Sequence, residues 1–247
     1  MSASQTRSLA AIWHELECGS YRADLALWQQ LADLRAPTVI LDIGAGRGRV
    51  TLPLARMGHK LIALDNDQRL LDDLRTQANG LQIQTVCADA RSFSLAEDAR
   101  VDLCLVPMQT IQLFGGADGR SAFLKAAHAH MNPGGLLACA ILNELEPFDC
   151  REDHDGPTPE SAQIGDRLYT SQARRVAIDR DGVLIERRRT IRTPTAHSSQ
   201  QDVVKLDHLS AGQLECEAST AGFHPEPARV IQATTEHTDS AVVMLRA

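Results

Sequence analysis

At 247 residues the chain has room for one large domain with a sizeable core, and its 43% apolar content is ordinary for a globular protein. A net charge of −7 excludes a binder that works by meeting phosphates non-specifically, so no nucleic-acid partner is expected; Arg187-Arg188-Arg189 is the obvious local basic cluster. No apolar run approaches the roughly 18 residues of a membrane helix, and the N-terminus lacks a signal-peptide apolar region, so no membrane partner is expected and the protein reads as cytoplasmic.

In chain order, residues 7–17 and 21–34 predict helices. In the second, Leu25, Trp28, Leu31 and Ala32 recur at helical spacing, Trp28 reads as core, and Ala36-Pro37 ends the helix. Val39-Ile40-Leu41 reads as a fully buried parallel strand, interrupted by Asp42, whose charge is costly there without a partner. Gly44, Gly46 and Gly48 follow, then a helix-compatible segment through Met57. Glycines let a ligand approach the main chain closely, and the helix offers free N–H groups, so the strand–glycine–helix run reads as a cofactor cradle. Pro53 in a helix interior costs roughly 3 kcal/mol or more. That penalty shrinks if the helix begins late, near Gly48 or Arg49. Lys60-Leu-Ile-Ala-Leu-Asp65 is a second buried strand ending in an acid, 21 residues after Gly44. An acid at this spacing binds both ribose hydroxyls in dinucleotide-type folds. The nicotinamide fingerprint G-x-G-x-x-G is not met, because the third glycine comes one residue early and position 49 is Arg.

Asp42-x-Gly44-x-Gly46-x-Gly48, with Asp65 closing the next strand, resembles the class I S-adenosylmethionine-dependent methyltransferases, over Val39 through Met244. The resemblance implies S-adenosyl-L-methionine as cofactor. It implies as binding residues Asp42, Gly44, Ala45 and Gly46 in the cradle, Asp65 and Asn66 after the second strand, Asp89 and Ala90 after the third, and Pro107 and Met108 after the fourth. Tyr21, in Gly19-Ser20-Tyr21-Arg22, is similar to a lid tyrosine beside the methionine end of the cofactor.

Asn66-Asp67 reads as a helix cap, with Leu70, Leu71 and Leu74 the apolar face of a helix to Ala78; Leu70 suits either core or adenine packing. Gln82–Cys87 is the third strand. Asp89 after it either accepts from the adenine amine, as the resemblance implies, or caps the loop. Val101–Val106 is the fourth strand. Strands one and four flank the switch point, so residues 107–111 are best placed to meet the methyl group. Val106-Pro107-Met108-Gln109 replaces the Asn-Pro-Pro-Tyr type motif of enzymes that methylate amide or nucleobase nitrogens, so an amine, hydroxyl or thiol on a small molecule fits better. Asp118–Met131 reads as a helix stopped by Asn132-Pro133-Gly134-Gly135, and Leu136–Leu142 as the fifth strand, left through Asn143-Glu144. Residues 146–162 show no apolar period and read as a mobile loop. Leu168–Ala177 and Val183–Arg192 make a hairpin around Asp179-Arg-Asp-Gly182, with a third strand near Val203–Leu206. This insertion resembles the roof of sugar-amine N,N-dimethyltransferases and glycine- or sarcosine-type N-methyltransferases. Tyr169, Arg192 and His197 are candidates for pocket or plain surface, and the arginine triplet reads as a solvated edge. Ser210-Ala-Gly-Gln213 is a capping box for a helix ending at Ala221-Gly222, and Arg229–Ala233 with Ala241–Leu245 finish the sheet.

The expected fold is α/β, a Rossmann-like seven-stranded sheet of order 3-2-1-4-5-7-6 with the last strand antiparallel. A single methyltransferase domain over 1–247 divides into a helical lid (1–36), a cofactor-binding core (37–145), a loop and antiparallel roof (146–207), and a C-terminal helix and strand pair (208–247). The expected activity is methyl transfer to an amine or hydroxyl of a small molecule, with a homodimer left open. A non-catalytic S-adenosylmethionine-binding regulator and a nicotinamide oxidoreductase are the alternatives. No catalytic triad stands out; if a base is needed, His128, His197 and His208 are the candidates. The six cysteines form no C-x-x-C pair, and Cys87, Cys104 and Cys139 read as buried thiols, so no metal is expected.

Overall fold

A parallel sheet is apolar on both faces and needs helices on each, and from Val39 onward the chain alternates strand and helix to supply them. The computed structural model describes residues 7–34, 39–96, 99–142, 145–152, 156–235 and 237–247. Its elements are α1 (Leu9–Cys18), α2 (Leu25–Asp33), β1 (Val39–Ile43), α3 (Thr51–Arg56), β2 (Lys60–Asp65), α4 (Gln68–Gln77), β3 (Ile83–Cys87), β4 (Val101–Val106), α5 (Gly116–His130), β5 (Met131–Leu142), β6 (Phe148–Asp149), β7 (Glu160–Ile164), β8 (Arg167–Asp179), β9 (Gly182–Arg192), β10 (His197–Leu206), α6 (Ala211–Thr220), β11 (His224–Ile231) and β12 (Ser240–Arg246). The expected helix end at Ala36-Pro37 and the exit through Asn143-Glu144 lie outside the described residues.

The described residues divide into two compact units, one from Tyr21–Asn143 with Leu209–Ala247, the other from Met1–Ser20 with Glu144–His208. In the first, a seven-stranded sheet runs β3-β2-β1-β4-β5-β12-β11. Strands β3, β2, β1, β4 and β5 are mutually parallel, and β12 lies antiparallel to β5 and β11. This is the order expected, with the roof strands skipped. Side-chain alternation divides the core: Leu41, Ile43, Cys104, Val106 and Ile141 pack with Phe123 and Leu124 of α5 and Leu214 of α6. Ile40, Leu61, Leu103 and Ala138 pack on the other face with Trp28 and Leu31 of α2 and Leu54 of α3. Helix α3 begins at Thr51, so Pro53 falls in its first turn and removes no intrahelical bond. Strand β5 starts at Met131, earlier than expected, because Met131 pairs with Val101 before Asn132–Gly135 bulge out and Leu136 resumes against Leu103.

In the second unit, β10-β9-β8-β6 form an antiparallel sheet with β7 also on β8. Residues 146–162 are therefore not all loop: β8 is 13 residues long, and its outer edge takes β6 at Val176 and β7 from Arg167 to Ser171. Nor is the arginine triplet a solvated edge, since β9 lies between β8 and β10. Helix α1 covers one face, with Trp13 edge-on to Tyr169 at 5.6 Å and Glu17 accepting from both Arg189 (2.6 and 2.7 Å) and Ser171 (2.7 Å). Burial pushes the Glu17 carboxyl up, but the Arg189 and Ser171 hydrogen bonds outweigh it and hold the acid below its usual range.

Helix α2 is anchored by charge. Asp24 is fully buried; it accepts from Trp28 Nε1 at 2.8 Å and from both terminal nitrogens of Arg49 at 2.6 and 2.7 Å. Removing one partner of such a pair strands the other charge, at a cost of about 3–5 kcal/mol. Asp24→Ala is therefore expected to lose about that much stability in a urea melt, and adding Arg49→Met should recover part of it. A loss below about 1 kcal/mol in the single variant would show that the pair does not hold α2.

Candidate active site

Strand β1 carries its acid into the core. Asp42 is 1% exposed; its Oδ2 accepts from Thr51 Oγ1 at 2.5 Å, while its Oδ1 has no hydrogen-bond partner. Burial pushes its pKa up to about 7; Thr51 and Arg49 pull it down, while Asp65 and Asp24 push it further up. A buried carboxylate oxygen without a donor is a place for a donor to arrive. Gly44 and Gly46 beyond it take left-handed backbone angles, φ 68° and 53°. A Cβ on Gly44 would stand 2.7 Å from Thr110 Cγ2, so only glycine lets the turn after β4 close against the loop after β1. Gly48 does a different job, leaving room for Leu74 of α4.

Asp65 sits at the end of β2 and is 9% exposed. Its two oxygens accept from Gly46 N–H and Asp67 N–H, each at 2.8 Å. Asp65 therefore has a structural role: it braces the glycine loop and the entry to α4. Asp67, not Asp65, caps α4, accepting from Arg69 N–H at 2.9 Å. Ala45 N–H reaches Leu64 O at 3.0 Å and Ala88 N–H reaches Asp65 O at 3.0 Å, so the loops after β1, β2 and β3 are tied together. Ala45 and Ala90 are buried and Asn66 is exposed. Asp89 is partly exposed, caps its own loop through Arg91 N–H at 2.8 Å, and pairs with the Arg91 guanidinium at 2.6 Å, which holds its carboxyl below the usual range.

After β4, Pro107 is buried and Met108 has φ 54°, the one non-glycine left-handed residue among those described. Backbone strain of this kind costs on the order of 1–3 kcal/mol and clusters at functional sites. The turn Thr110–Leu113 holds it, with Thr110 Oγ1 donating to Pro107 O at 2.9 Å and the buried Gln112 accepting from Leu142 N–H at 2.8 Å. Tyr21 joins this end of the sheet through Arg49, which donates to Tyr21 O at 3.1 Å and lies over its ring at 5.2 Å. His237, in the turn before β12, meets the same ring edge-on at 4.8 Å. Burial and the neighbouring Asp24 push the Tyr21 phenol up, which keeps it a hydrogen-bond donor.

These residues, from Tyr21 to Met108, all belong to the first unit and gather at the carboxyl ends of its parallel strands, where open α/β sheets bind ligands. His128 does not: α5 returns toward the amino end of β5, and His128 packs on Phe223 at 5.0 Å while His130 stacks on Phe93 at 5.3 Å. In the second unit His197 and Arg192 are exposed and face each other across β10 and β9, while His208 meets Asp179 O. Tyr169 is core, 4% exposed against Trp13, so it is neither surface nor free to line a pocket. Cys104 and Cys139 are buried as expected, but Cys87 is exposed because β3 is an outer strand. Sequence reasoning missed Asp24, Arg49 and His237. Only Arg49 left a signal, as the charge that broke the nicotinamide pattern; its partner lies 25 residues away and was not legible.

Residues 40–135 match the family model described as a methyltransferase domain. The malonyl-[acyl-carrier protein] O-methyltransferase of Xylella fastidiosa (strain M23) is 32% identical over 164 residues, 60% of this chain and 52% of that protein. The ubiquinone biosynthesis O-methyltransferase of Ruegeria pomeroyi is 29% identical over 125 residues, 51% of this chain and 48% of that protein. The chain thus spans about half the length of these curated relatives. In fold it is similar to the sugar N-methyltransferase KedS8 from Streptoalloteichus sp ATCC 53650, with a TM-score of 0.75 over 100% of this chain and 96% of that one, at 14% identity. No described helix is long and apolar enough to cross a membrane.

With a folded pKa near 7 against an ordinary 3.8, Asp42 is protonated in the folded chain and ionised in the unfolded one across that window. The folded state therefore loses stability as pH rises from about 4 to about 7, by on the order of 3 kcal/mol for this group. Urea melts across that range should show Asp42→Asn losing less stability than the parent on going from pH 4 to pH 7. Parallel curves for the two proteins would mean that Asp42 ionises normally.

Proposed function

We propose that this chain is a class I S-adenosylmethionine-dependent methyltransferase that transfers a methyl group to an amine or hydroxyl of a small molecule. The observation that carries the reading is the pairing of an orphaned, buried Asp42 oxygen with a glycine loop whose brace, Asp65, still has lone pairs to offer. A carboxylate has about four acceptor positions, and backbone N–H groups use two of them here, so Asp65 can also take ribose hydroxyls. Asp42 Oδ1 suits the ammonium of the methionine part, whose charge would draw the proton from the acid. Asp89 suits the adenine amine, with Asn66 and Ala90 beside it, and Pro107 and the strained Met108 border the methyl end. Tyr21, fixed by Arg49, closes over it.

Bound S-adenosylmethionine supplies an electrophilic methyl on a sulfonium. The chain's own part is then to align an acceptor and keep water away. A neutral amine needs no strong base. A hydroxyl must lose a proton, and His237, at the same end of the sheet as Tyr21, is the histidine of this unit suited to take it. The sequence relatives carry O-methyltransferase names and the fold neighbour an N-methyltransferase name, so both acceptor kinds remain in the proposal.

S-adenosylhomocysteine is expected to raise the melting temperature by mass action, and NADH to leave it unchanged; the reverse pattern would overturn the reading. Asp65→Ala should weaken S-adenosylhomocysteine binding by about ten- to a hundredfold, since hydrogen bonds to a charged group contribute roughly 1.5–3 kcal/mol. It should also cost about 2 kcal/mol of stability through Gly46 and Asp67. Lower stability with unchanged affinity, once unfolding is corrected for, would confine Asp65 to its bracing role.

A further inference from the structure

We propose that the face of the β8–β9–β10 sheet turned away from α1 binds a phosphate-type oxyanion through Arg151, Arg174 and Arg188. Strand periodicity separates the two faces. Arg189 pairs with Ser171 across β8, and both bind Glu17 of α1. One residue back, Arg188 stands level with Gln172 on β8 and Gln201 on β10, so these three side chains form a row on the opposite face. Two adjoining hollows open there, of about 270 and 440 Å³, and Arg151, Arg174 and Arg188 line both.

Among the described residues, the acids nearby are largely engaged already. Glu186 is buried; one oxygen accepts from Arg175 at 2.7 Å and the other from Gln201 at 3.0 Å, with Arg151 at 3.9 Å. Asp149 is bridged by Arg151 at 2.6 Å and Arg175 at 3.5 Å. Glu152 lines only the larger hollow. Arg188 is exposed and has no carboxylate partner among the described residues. Arg174 is 7% exposed, with its guanidinium fixed by Gln172 Oε1 at 3.1 Å and by Cys150 O. A positioned fork beside an exposed one, with glutamine and serine amide and hydroxyl groups around them, matches the planar, bidentate way guanidinium recognises phosphate oxygens. The concentration of positive charge runs against the chain's net −7, so it is a local feature of this face. All these residues belong to the insertion unit, so the inference stands whether or not methyl transfer is found.

The probe is pyrophosphate, titrated calorimetrically into the full chain at low ionic strength, with inorganic phosphate as the single-anion arm. Saturable binding is expected, tighter for pyrophosphate because two hollows share the arginines. Arg188→Gln should weaken it at least tenfold, and Arg188→Lys, which keeps the charge and loses the fork, by an intermediate factor. Arg180→Gln removes the same charge from the exposed hairpin turn and should stay within twofold of the parent. Absence of saturable binding, unchanged affinity in Arg188→Gln, or equal weakening by Arg188→Gln and Arg180→Gln would each overturn the site. Circular dichroism confirms that each variant compared is folded.

Discussion

Two hydrogen bonds to one carboxylate set the geometry of the loops at the carboxyl end of the parallel sheet. Asp65 accepts from Gly46 and Asp67 at 2.8 Å each, so the loop after β1 cannot shift without the start of α4 shifting too. A backbone that must take left-handed angles at Gly44 and Gly46 is paid for in conformational entropy, and a buried, charge-assisted acceptor is a strong way to offset that cost. The same brace leaves both oxygens at the carboxyl ends of the strands. One residue thus supports the loop and, in the proposed function, also meets the ligand.

Around it lies an unusual density of buried charge for an apolar sheet: Asp24, Asp42, Asp65 and Arg49. Only Asp24 has a full ionic partner, bidentate to Arg49. Asp42 has one hydroxyl donor, and its proton is held tightly chiefly because it is buried, with the like charges of Asp65 and Asp24 adding to the effect. The ammonium that the proposed function brings to Asp42 would relieve this. The strained Met108 lies just beyond the end of the neighbouring strand, β4.

The parallel sheet was legible because its strands are short apolar runs between glycines and acids, and a strand buried on both faces has few other readings. The cradle, the late start of α3 and the cap at Asp67 could be read from local rules, whereas the strand order came with the family resemblance. What escaped was contact between distant residues. Asp24 and Arg49 meet only because α2 packs on the sheet, and Asp65 finds Gly46 only because β1 and β2 are adjacent. The two short strands β6 and β7 escaped for another reason. Neither has an apolar period, and they are strands because β8 offers an edge 13 residues long.

The insertion follows a different rule from the sheet, and its arginine triplet shows how. Three consecutive charges on a central strand would be untenable in the parallel sheet, whose central strands are buried on both faces. On β9 they are tolerated because each face is polar for its own reason. Arg189 faces α1 and is neutralised by Glu17 and Asp202 at 2.6 and 2.7 Å. Arg188 faces open hollows between Gln172 and Gln201. A period of two thus splits one sequence motif into a structural half and an available half. The triplet's alternation was legible in the sequence; that it sits at the middle of a sheet rather than its edge was not, because the register that puts β10 outside β9 depends on ten residues from His197 to Leu206, most of them polar and carrying no apolar signal.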